Sequence, residues 1–304
     1  MKLLQKNRVN IVITNRVLRY SLHNSSSPEG LLDKGELNLP HEVIKDGAIV
    51  NRAAFLKAVS TLVKKKNWKG KPLYFCLPDD TVVIRNLQIP AVLTEEESLH
   101  YVSTQLGHSF YLPFANPSLA IEFLEEENQL RNILLYAYPN EKIVAFEEVF
   151  RQAGLKPVVA DLTSLSVYRL YYKRIRMEHD HVLHIQWNTD ALVVTAFQNH
   201  KAIFTRYIKV TVSERQEEMT EQSTERLMNE YLIEVRRIID FYQFSISKGQ
   251  ASINLVLLSG DVPYLPRIWK SLRETLPMEV LTFTDIVQEV KYVDVLGLAL
   301  KQEV

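Results

Sequence analysis

Three consecutive apolar runs within residues 181–210 limit the fold of this chain more than any other feature. Residues 182–185, 192–197 and 202–208 are rich in β-branched and aromatic side chains. The polar triplets between them contain Asn, Asp and His, which tolerate the backbone geometry of turns. The pattern predicts a three-stranded meander. Because strands this apolar need cover on both faces, and helices follow in the sequence, we expect a layered α/β domain.

The beginning of the chain has a weaker version of the same pattern. Residues 9–13, 17–22 and 34–39 are predicted strands, followed by an amphipathic helix after Asn51 and an apolar strand at 72–77. A repeat this long excludes a solenoid. It indicates two related α/β domains that face each other across a cleft.

Between these halves, the order of the predicted elements changes. Strands at 81–89, 118–125 and 130–138 are combined with helices at 94–106 and 141–153. A helix-covered antiparallel sheet of this size can fold as a subdomain inserted into the first domain. The remaining predicted elements are strands at 156–161, 253–258 and 279–283, helices at 163–175, 224–245, 263–276 and 293–300, and a charged helix or loop over 214–225.

Composition excludes several classes of function. With 304 residues and 46% hydrophobic content, the chain can bury two cores. Its 36 basic and 36 acidic residues balance, so no net field draws it to nucleic acid or to an anionic bilayer. Residues 168–176 alternate bases with aromatic side chains, but cations in the last turn of a helix also complement the helix dipole. We interpret this segment as a helix end.

Several features favour a cytosolic protein. No run approaches the roughly 18 apolar residues that span a bilayer. The first sixteen residues lack the apolar stretch and the cleavage site of a secretion signal. A single cysteine, Cys76, cannot form an internal disulfide and is typical of a reducing compartment.

The residues that could carry chemistry do not form a reactive set. His179, His181 and His184 suggest a metal site, but His181 and His184 point to opposite faces of a strand and no further ligand completes a set, so we expect no metal. We expect Cys76 to be a buried thiol rather than a nucleophile. Neither GxxxxGK[ST] nor GxGxxG occurs. The acidic run 95–97 fits the first turn of a helix, and the run 125–127 is interpreted as a solvated turn between strands.

Several separated stretches, in a fixed order, resemble one family, the type IV pilus assembly proteins PilM, which are relatives of the cell-division protein FtsA. The stretches are 77–90, 112–114, 153–157 with Asp161, 231–242, 258–260 and 297–301. The resemblance covers nearly the whole chain. It implies an α/β actin-like ATPase fold with two ribonuclease-H-like domains and an inserted α+β subdomain.

The resemblance also implies the domain boundaries. Residues 1–77 and 154–178 correspond to the first domain, and 78–153 to the inserted subdomain. Residues 179–304 correspond to the second domain, with a helical part at 214–247.

This chain departs from the family at the ATP-binding loops. The family's Asp-x-Gly-Ser-x-x-x-Lys aligns with Ile11, Ile13, Thr14 and Leu18, its Asp-x-Gly aligns with His184 and Gln186, and its Gly-Gly aligns with Gly260 and Asp261. The acids that would hold hydrated Mg²⁺ and most of the glycines that let N–H groups approach phosphate are missing. We expect weak or no ATP binding, no hydrolysis and no cofactor.

The family's other task needs no catalysis. PilM proteins bind the cytoplasmic N-terminal tail of the inner-membrane protein PilN in a groove between the first domain and the inserted subdomain. The resemblance implies the same partner here, with other inner-membrane pilus components possible, and a peripheral position at the membrane. By position, Val83, Arg85, Leu112, Pro113 and Phe114 are predicted to line the groove or, equally, to pack the subdomain. The alternatives are an ATPase of the same machine and a filament former resembling FtsA.

Overall fold

The computed structural model describes residues 7–174, 179–210 and 221–302. Contacts divide the chain into two compact units. The first runs up to Thr163 and includes Ile203–Thr205, and the second consists of Ser164–Ala202 and the chain from Arg206 onward.

The first unit contains a five-stranded sheet and a separate three-stranded sheet. Its elements are β1 (Arg8–Ile13), β2 (Val17–His23), β3 (Leu31–Asn38), β4 (Ile44–Lys45), β5 (Ala48–Ile49), α1 (Arg52–Lys66), β6 (Pro72–Leu77), β7 (Val83–Pro90), α2 (Glu95–Gln105), β8 (Pro117–Glu127), β9 (Leu130–Pro139), α3 (Asn140–Gln152) and β10 (Lys156–Leu162). The large sheet has the order β10-β6-β1-β2-β3. Strands β1, β2 and β3 are antiparallel, whereas β6 and β10 run parallel to β1.

Alternation along these strands places one face of the sheet in the main core. Ile11 on β1 and Phe75 on β6 are fully buried together with Phe55 of α1 and Phe150 of α3. The rings of Phe55 and Phe150 lie 6.1 Å apart, and those of Phe75 and Phe150 lie 5.3 Å apart. Aromatic residues therefore join both helices to the same face of the sheet.

The three-stranded sheet has the order β7-β9-β8, with β9 in the middle. Its own core contains Ile89, Ile133, Leu135 and Val102, the last of which belongs to α2. Helix α2 begins with a capping box, in which the Thr94 hydroxyl accepts from the Glu97 N–H and the Glu97 carboxylate accepts from the Thr94 N–H. The acidic run at the start of this helix is therefore structural. We call β7, α2, β8 and β9 the inserted subdomain.

The second unit repeats the sheet of the first. Its elements are α4 (Thr163–Arg174), β11 (His181–Trp187), β12 (Ala191–Gln198), β13 (Lys201–Lys209), α5 (Glu221–Phe241), a π-helical turn (Tyr242–Ile246), β14 (Leu255–Gly260), α6 (Leu265–Thr275), β15 (Glu279–Thr282) and α7 (Val293–Leu298). The sheet order is β13-β12-β11-β14-β15, and β14 and β15 run parallel to β11. The strand order thus matches the first unit, as do the directions of β12, β14 and β15 relative to β11. In chain order, α5 and α6 take the places of α1 and α3. The inserted subdomain occupies the connection that in the second unit is the short β14–α6 loop.

Two sequence predictions about local structure are wrong. The strand predicted from residue 81 begins at Val83, because Asp79–Thr81 form a 3-10 turn. The acidic run 125–127 belongs to β8, and the turn that follows consists of Asn128 and Gln129, which both have positive φ angles. Most of the charged segment predicted at 214–225 lies outside the described residues.

Candidate functional site

Three of the four residues aligned with the family's first phosphate loop are core residues of the first unit. Ile11 and Leu18 are fully buried and Ile13 is 1% exposed. All three belong to the hydrophobic core on the α1 and α3 face of the sheet. They supply packing, and they offer neither a carboxylate for a hydrated cation nor an ammonium group for a phosphate.

The fourth residue, Thr14, closes the turn between β1 and β2. Its hydroxyl oxygen accepts from the N–H groups of Arg16 at 3.2 Å and Val17 at 3.0 Å. The Thr14 N–H donates to the Val17 carbonyl at 2.9 Å. Three N–H groups of this turn are therefore bonded within the turn. A phosphate oxygen would have to displace these bonds to be bound here.

The corresponding strand of the second unit buries a neutral histidine. His184 is fully buried on β11, and its Nε2 lies 2.8 Å from the Ser259 hydroxyl on β14. Burial lowers the pKa of this imidazole to about 3. Gln186, two residues later, is 2% exposed. Neither side chain can replace the acid of the family's second loop.

An acidic side chain accepts hydrogen bonds from the turn between β11 and β12. Asp261 Oδ1 accepts from the Thr189 N–H at 2.8 Å and from its hydroxyl at 3.1 Å. The Asp261 N–H donates to the Trp187 carbonyl at 3.1 Å. Gly260 has a φ of +135°, and a Cβ there would lie 1.9 Å from the Trp187 oxygen, so only glycine allows this approach. The Asp261 carboxylate thus accepts the hydrogen bonds that this turn could otherwise donate to a bound anion.

These two turns do not fit a magnesium-bound triphosphate. Phosphate binding needs N–H donors that are available, and magnesium needs oxygen ligands with negative charge. The donors of Thr14 and Thr189 are engaged, Ile11 replaces one acid, and Asp261 would repel a phosphate. No chemical step through a nucleotide can be derived from these residues.

The second candidate region is the edge of the inserted subdomain formed by β7. The strand pairs with β9 over all eight residues without a break in register. Within the described residues, no strand pairs with its outer edge. Alternate N–H and C=O groups of such an edge point outward and can bond to an added strand.

The other edge of the same sheet carries features that discourage strand addition. Strand β8 has an irregularity between Phe123 and Glu126, and it carries four glutamates, Glu122, Glu125, Glu126 and Glu127. Bulges and charges are the usual means by which proteins protect an edge strand. Strand β10 of the large sheet also has a bulge, at Val158. By comparison, β7 has no break in register and no acidic residue.

The five residues predicted to line a groove are spread over one end of this sheet. Val83 and Arg85 share the face of β7 that carries Ile89 and its core contacts, and Arg85 is exposed. Val83 is opposite Ala137, which is opposite Leu119 on β8. Since neighbouring strands lie about 4.8 Å apart, Val83 and Leu119 are roughly 10 Å apart.

The 112–114 segment leads into β8 at this same end. Pro113 is exposed, while Leu112 and Phe114 are partly buried. The preceding Phe110 packs on the subdomain core, and the Asn116 carbonyl accepts from the Asn140 N–H at 3.1 Å, so both ends of the segment are held. Beyond this shared end of the sheet, the lining role of the five residues stays a prediction.

Comparison with known families decides the assignment. Residues 33–223, more than half of the chain, match the model of the family described as type IV pilus assembly protein PilM. The chain belongs to this family. Among proteins with curated functions, no sequence match was found.

Solved structures similar to this PilM-family chain share its fold. One, described as a PilM-PilN type IV pilus biogenesis complex, has a TM-score of 0.81 at 17% identity and covers 97% of this chain and 98% of the other. A Bacteroides thetaiotaomicron protein with an actin-like ATPase fold has a TM-score of 0.51 at 10% identity, with 98% and 97% covered. MreB5 of Spiroplasma citri bound to ADP has a TM-score of 0.54 at 9% identity, with 97% and 95% covered. The fold is therefore actin-like, as the family resemblance implied.

The inserted subdomain of this PilM-family chain is tied to the first unit by side chains that sequence reasoning missed. Tyr138 Oη donates to the Pro78 carbonyl at 2.9 Å. Lys142 Nζ donates to Asp80 Oδ2 at 2.9 Å and to Thr81 Oγ1 at 3.2 Å. The Asp80 and Lys142 side chains are only 8% and 14% exposed. Burial raises the pKa of the Asp80 carboxyl, while Lys142 acts in the opposite direction. These bonds connect the chain entering the subdomain with the chain leaving it.

The small hairpin of β4 and β5 joins this connection and was also missed. Its turn is Asp46-Gly47, with φ angles of 47° and 66°. Lys142 donates to the Asp46 carbonyl at 2.8 Å, and the Gly47 N–H donates to Asn15 Oδ1 at 3.0 Å. A two-residue Asp-Gly loop between short apolar runs is a strong hairpin signal, and it could have revealed this element.

The rejected chemical candidates each have separate structural partners. His181 Nδ1 lies 2.6 Å from the Tyr242 hydroxyl, and His179 Nε2 lies 3.7 Å from Glu279 Oε2. Cys76 is buried. Among the described residues, no group of three or more His, Cys, Asp or Glu could hold a metal ion.

The basic segment that begins at residue 168 has a structural explanation. Arg169 donates to the Gly297 carbonyl at 3.2 Å and Lys173 to the Leu300 carbonyl at 3.5 Å, so both cations bind the carboxyl end of α7. Gly297 permits close contact between α4 and α7, because a Cβ there would lie 1.9 Å from the Ser166 carbonyl. Residues 175 and 176 lie outside the described residues.

Proposed function

We propose that this chain is a non-catalytic cytoplasmic adaptor in a type IV pilus assembly machine or a related secretion or competence machine. In this proposal it binds the N-terminal cytoplasmic tail of a PilN-like inner-membrane protein by adding the tail as a strand to the outer edge of β7. The observation that carries the proposal is the eight-residue, unbroken edge of β7, which lacks the bulge and the glutamates of β8. Strand addition supplies affinity through backbone bonds and requires no catalysis.

Two further observations support this proposal. The chain belongs to the PilM family, and the solved structure of highest similarity quoted above is described as a complex of PilM with PilN. In addition, the turns at Thr14 and Thr189 have their N–H donors bonded to the protein's own oxygen atoms. An adaptor needs no ATP, and we propose that this chain neither binds nor hydrolyses it.

The proposed partner also accounts for a position at the inner membrane. Within the described residues, no helix combines the length and the apolar character that membrane crossing demands. We propose that the tail of the PilN-like protein holds the adaptor at the cytoplasmic face of the inner membrane.

A binding assay with modified peptides tests strand addition directly. The probe is a synthetic peptide of the N-terminal tail of the PilN-like protein from the same organism, in two forms N-methylated at alternate residues. In an added strand, only every second residue directs its N–H to β7. One methylated form is therefore expected to lose binding and the other to retain it. Equal loss, or equal retention, would show that the tail is not held as a strand.

A charge reversal locates the binding site. Arg85→Glu changes an exposed residue of β7, and Lys156→Glu makes the same change on β10, another edge strand of the first unit. Arg85→Glu is expected to weaken tail binding about tenfold, equivalent to about 1.4 kcal/mol. Lys156→Glu is expected to leave it unchanged. Equal effects of the two variants would exclude the β7 edge.

Titration calorimetry with ATP and Mg²⁺ tests the non-catalytic part independently of the partner. No heat of binding up to millimolar nucleotide is expected. Micromolar affinity would replace the adaptor with an ATP-binding member of the same machine, whether or not the tail binds.

A further inference from the structure

A cleft of about 770 Å³ lies in the second unit, beside the π-helical turn. One wall is the end of α5 with the π-helical turn, and the other is the connection from α6 to β15. Its lining includes Asp240, Gln243, Ile253, Asn254, Met278 and Glu279. The volume is within the range of ligand-binding clefts in proteins.

The cleft is separate from the turns aligned with the nucleotide loops. It opens at the amino end of β14, next to Asn254, whereas Gly260 and Asp261 lie at the carboxyl end of that strand. At about 3.3 Å per residue, the two ends of β14 are roughly 20 Å apart. A ligand in the cleft would therefore not contact Asp261.

The cleft has an apolar floor and a polar rim. Ile239 and Ile253 are buried, and Leu276 and Met278 are partly buried. On the rim, Arg236, Asp240 and Gln243 follow one another along one side of α5 and its π-helical extension. Such a combination suits an occupant with apolar side chains and polar groups that need partners.

The polar groups of the rim are available. Within the described part of the chain, the side chains of Arg236, Asp240 and Gln243 make no hydrogen bond or ion pair. Gln243 and Asn254 carry side-chain amides, each of which can both donate and accept. Two such amides beside an apolar floor match the N–H and C=O groups of an extended polypeptide.

The charge around the cleft favours a basic occupant. Asp240 and Glu279 oppose the single cation, Arg236, although Glu279 is also 3.7 Å from His179 Nε2. The carboxyl end of α6 at Thr275 adds the negative end of a helix dipole, partly offset by Arg273 in the last turn. Asp240, Glu279 and the carboxyl end of α6 would each repel an acidic segment.

Two exposed aromatic rings are close in sequence to the residues of the α5 wall. Phe244, within the turn, is 67% exposed, and Phe241, just before it, is 44% exposed. Phe244 is one turn from Asp240 on the same helix. Single π-helical turns within longer helices occur frequently at functional sites.

From these observations we propose that the cleft binds an extended segment of a partner protein that combines apolar with basic side chains. Its backbone bonds to the amides of Gln243 and Asn254, its apolar side chains contact Ile253 and Met278, and its cation pairs with Asp240. This docking surface is additional to the proposed β7 site and does not depend on it.

The test uses two short capped peptides, one alternating valine with lysine and one alternating valine with glutamate. Binding is followed by ¹³C-methyl NMR of methionine, because the chain has only five methionines and Met278 lines the cleft. The Met278 signal is assigned with Met278→Leu. The Met278 signal is expected to show that the lysine peptide binds at least about tenfold more tightly than the glutamate peptide.

Matched variants keep the test specific. Asp240→Lys is expected to weaken binding of the lysine peptide about tenfold, and Ser252→Trp, which fills the cleft, to abolish it. The control is Glu230→Lys, the same charge change at an exposed residue about 15 Å away along α5.

Several results would overturn the proposal. These are an unshifted Met278 signal at millimolar peptide, equal binding of both peptides, and equal effects of Asp240→Lys and Glu230→Lys. Self-association of the chain that Asp240→Lys removes would assign the cleft to a second copy instead of a partner.

Discussion

The β1–β2 turn and the β11–β12 turn have equivalent places in two sheets of the same strand order, but their N–H groups are satisfied differently. In the first, the Thr14 hydroxyl bonds to Val17, three residues later. In the second, the Asp261 carboxylate bonds to Thr189, which is 72 residues away in the sequence. The first arrangement is local and neutral, whereas the second is long-range and charged. In both halves of the actin-like fold, the N–H donors of the turn are therefore bonded within the protein, but to different kinds of acceptor.

Among variants near the two turns, the largest loss of stability is expected from replacing Gly260, which lies against Trp187 before the β11–β12 turn. Gly260→Ala places a Cβ 1.9 Å from the Trp187 carbonyl at a φ of +135°, which should lower the free energy of unfolding by on the order of 3–5 kcal/mol. Chemical denaturation measures the loss. The control is Gly249→Ala, which also has a positive φ but no atom within 4 Å of its Cβ, and should cost only about 1 kcal/mol. Similar losses for both variants would mean that Gly260 does not lie as close to the Trp187 carbonyl as the structure places it.

Acid is expected to affect the second sheet over a wider pH range than the first. Burial lowers the pKa of His184 to about 3, and burial with the charge of Arg8 lowers the pKa of His23 to about 4. Because these folded-state pKa values lie below the unfolded value of about 6.5, the unfolded chain binds protons first. Their stabilisation is complete above about pH 6.5. It is lost as the pH falls toward 4 for His23 and 3 for His184, by on the order of 3 kcal/mol for His23 and 5 kcal/mol for His184.

Denaturation at several pH values checks this prediction. His184→Gln should reduce the dependence of the free energy of unfolding on pH from about pH 6.5 down to about pH 3. His23→Gln should reduce it only between about pH 6.5 and about pH 4. An unchanged slope in the His184→Gln protein would contradict the assignment.

Replacement of Asp261 should have a smaller effect, because the bond to Thr189 is exposed. Asp261→Ala is expected to cost about 1–2 kcal/mol, and Asp261→Asn, which keeps an acceptor without the charge, less than this. The Asp261→Gly protein restores the family's Gly-Gly and opens the Thr189 N–H. Pyrophosphate should then raise its melting temperature and leave the natural protein unchanged. No difference between the two proteins would show that the carboxylate does not occupy an anion position.

The smallest effect is expected at Thr14. Thr14→Val removes the hydroxyl but keeps the shape, and should cost about 0.5–1.5 kcal/mol, because water can replace part of the lost bonding. Thr14→Ser retains the hydroxyl and should recover most of the loss. If serine and valine destabilise the protein equally, the hydroxyl bonds to Arg16 and Val17 do not stabilise the turn.

Most of the fold could be predicted because it is encoded in local patterns. The apolar runs of β11 and β12 and the periodicity of α5 are continuous in sequence, and the structure has these elements within a few residues of their predicted bounds. The repeated pattern also predicted two related α/β halves, but it did not predict the strand order of their sheets. The Asp46-Gly47 hairpin was missed although its signal is local, because only two residues on each side form strands.

The site was less predictable because its contacts join distant residues. The Asp261–Thr189 bond, the Lys142–Asp80 pair and the cleft beside α5 each bring together separate segments, and no periodicity indicates such pairs. At the positions aligned with the family's first phosphate loop, the sequence shows apolar residues, and the structure buries Ile11 and Leu18 in the core. The domain boundaries, the groove residues and the absence of a bound nucleotide stay predictions.

The outer edge of β7, with which no described strand pairs, has a consequence for protein production. An exposed, regular strand edge can pair with another copy of itself as readily as with a different chain. If the proposed membrane partner binds here, copies in excess of it should therefore associate through this edge and precipitate, and synthesis together with that partner should keep them dispersed. The cell would then need to make the two proteins in balanced amounts.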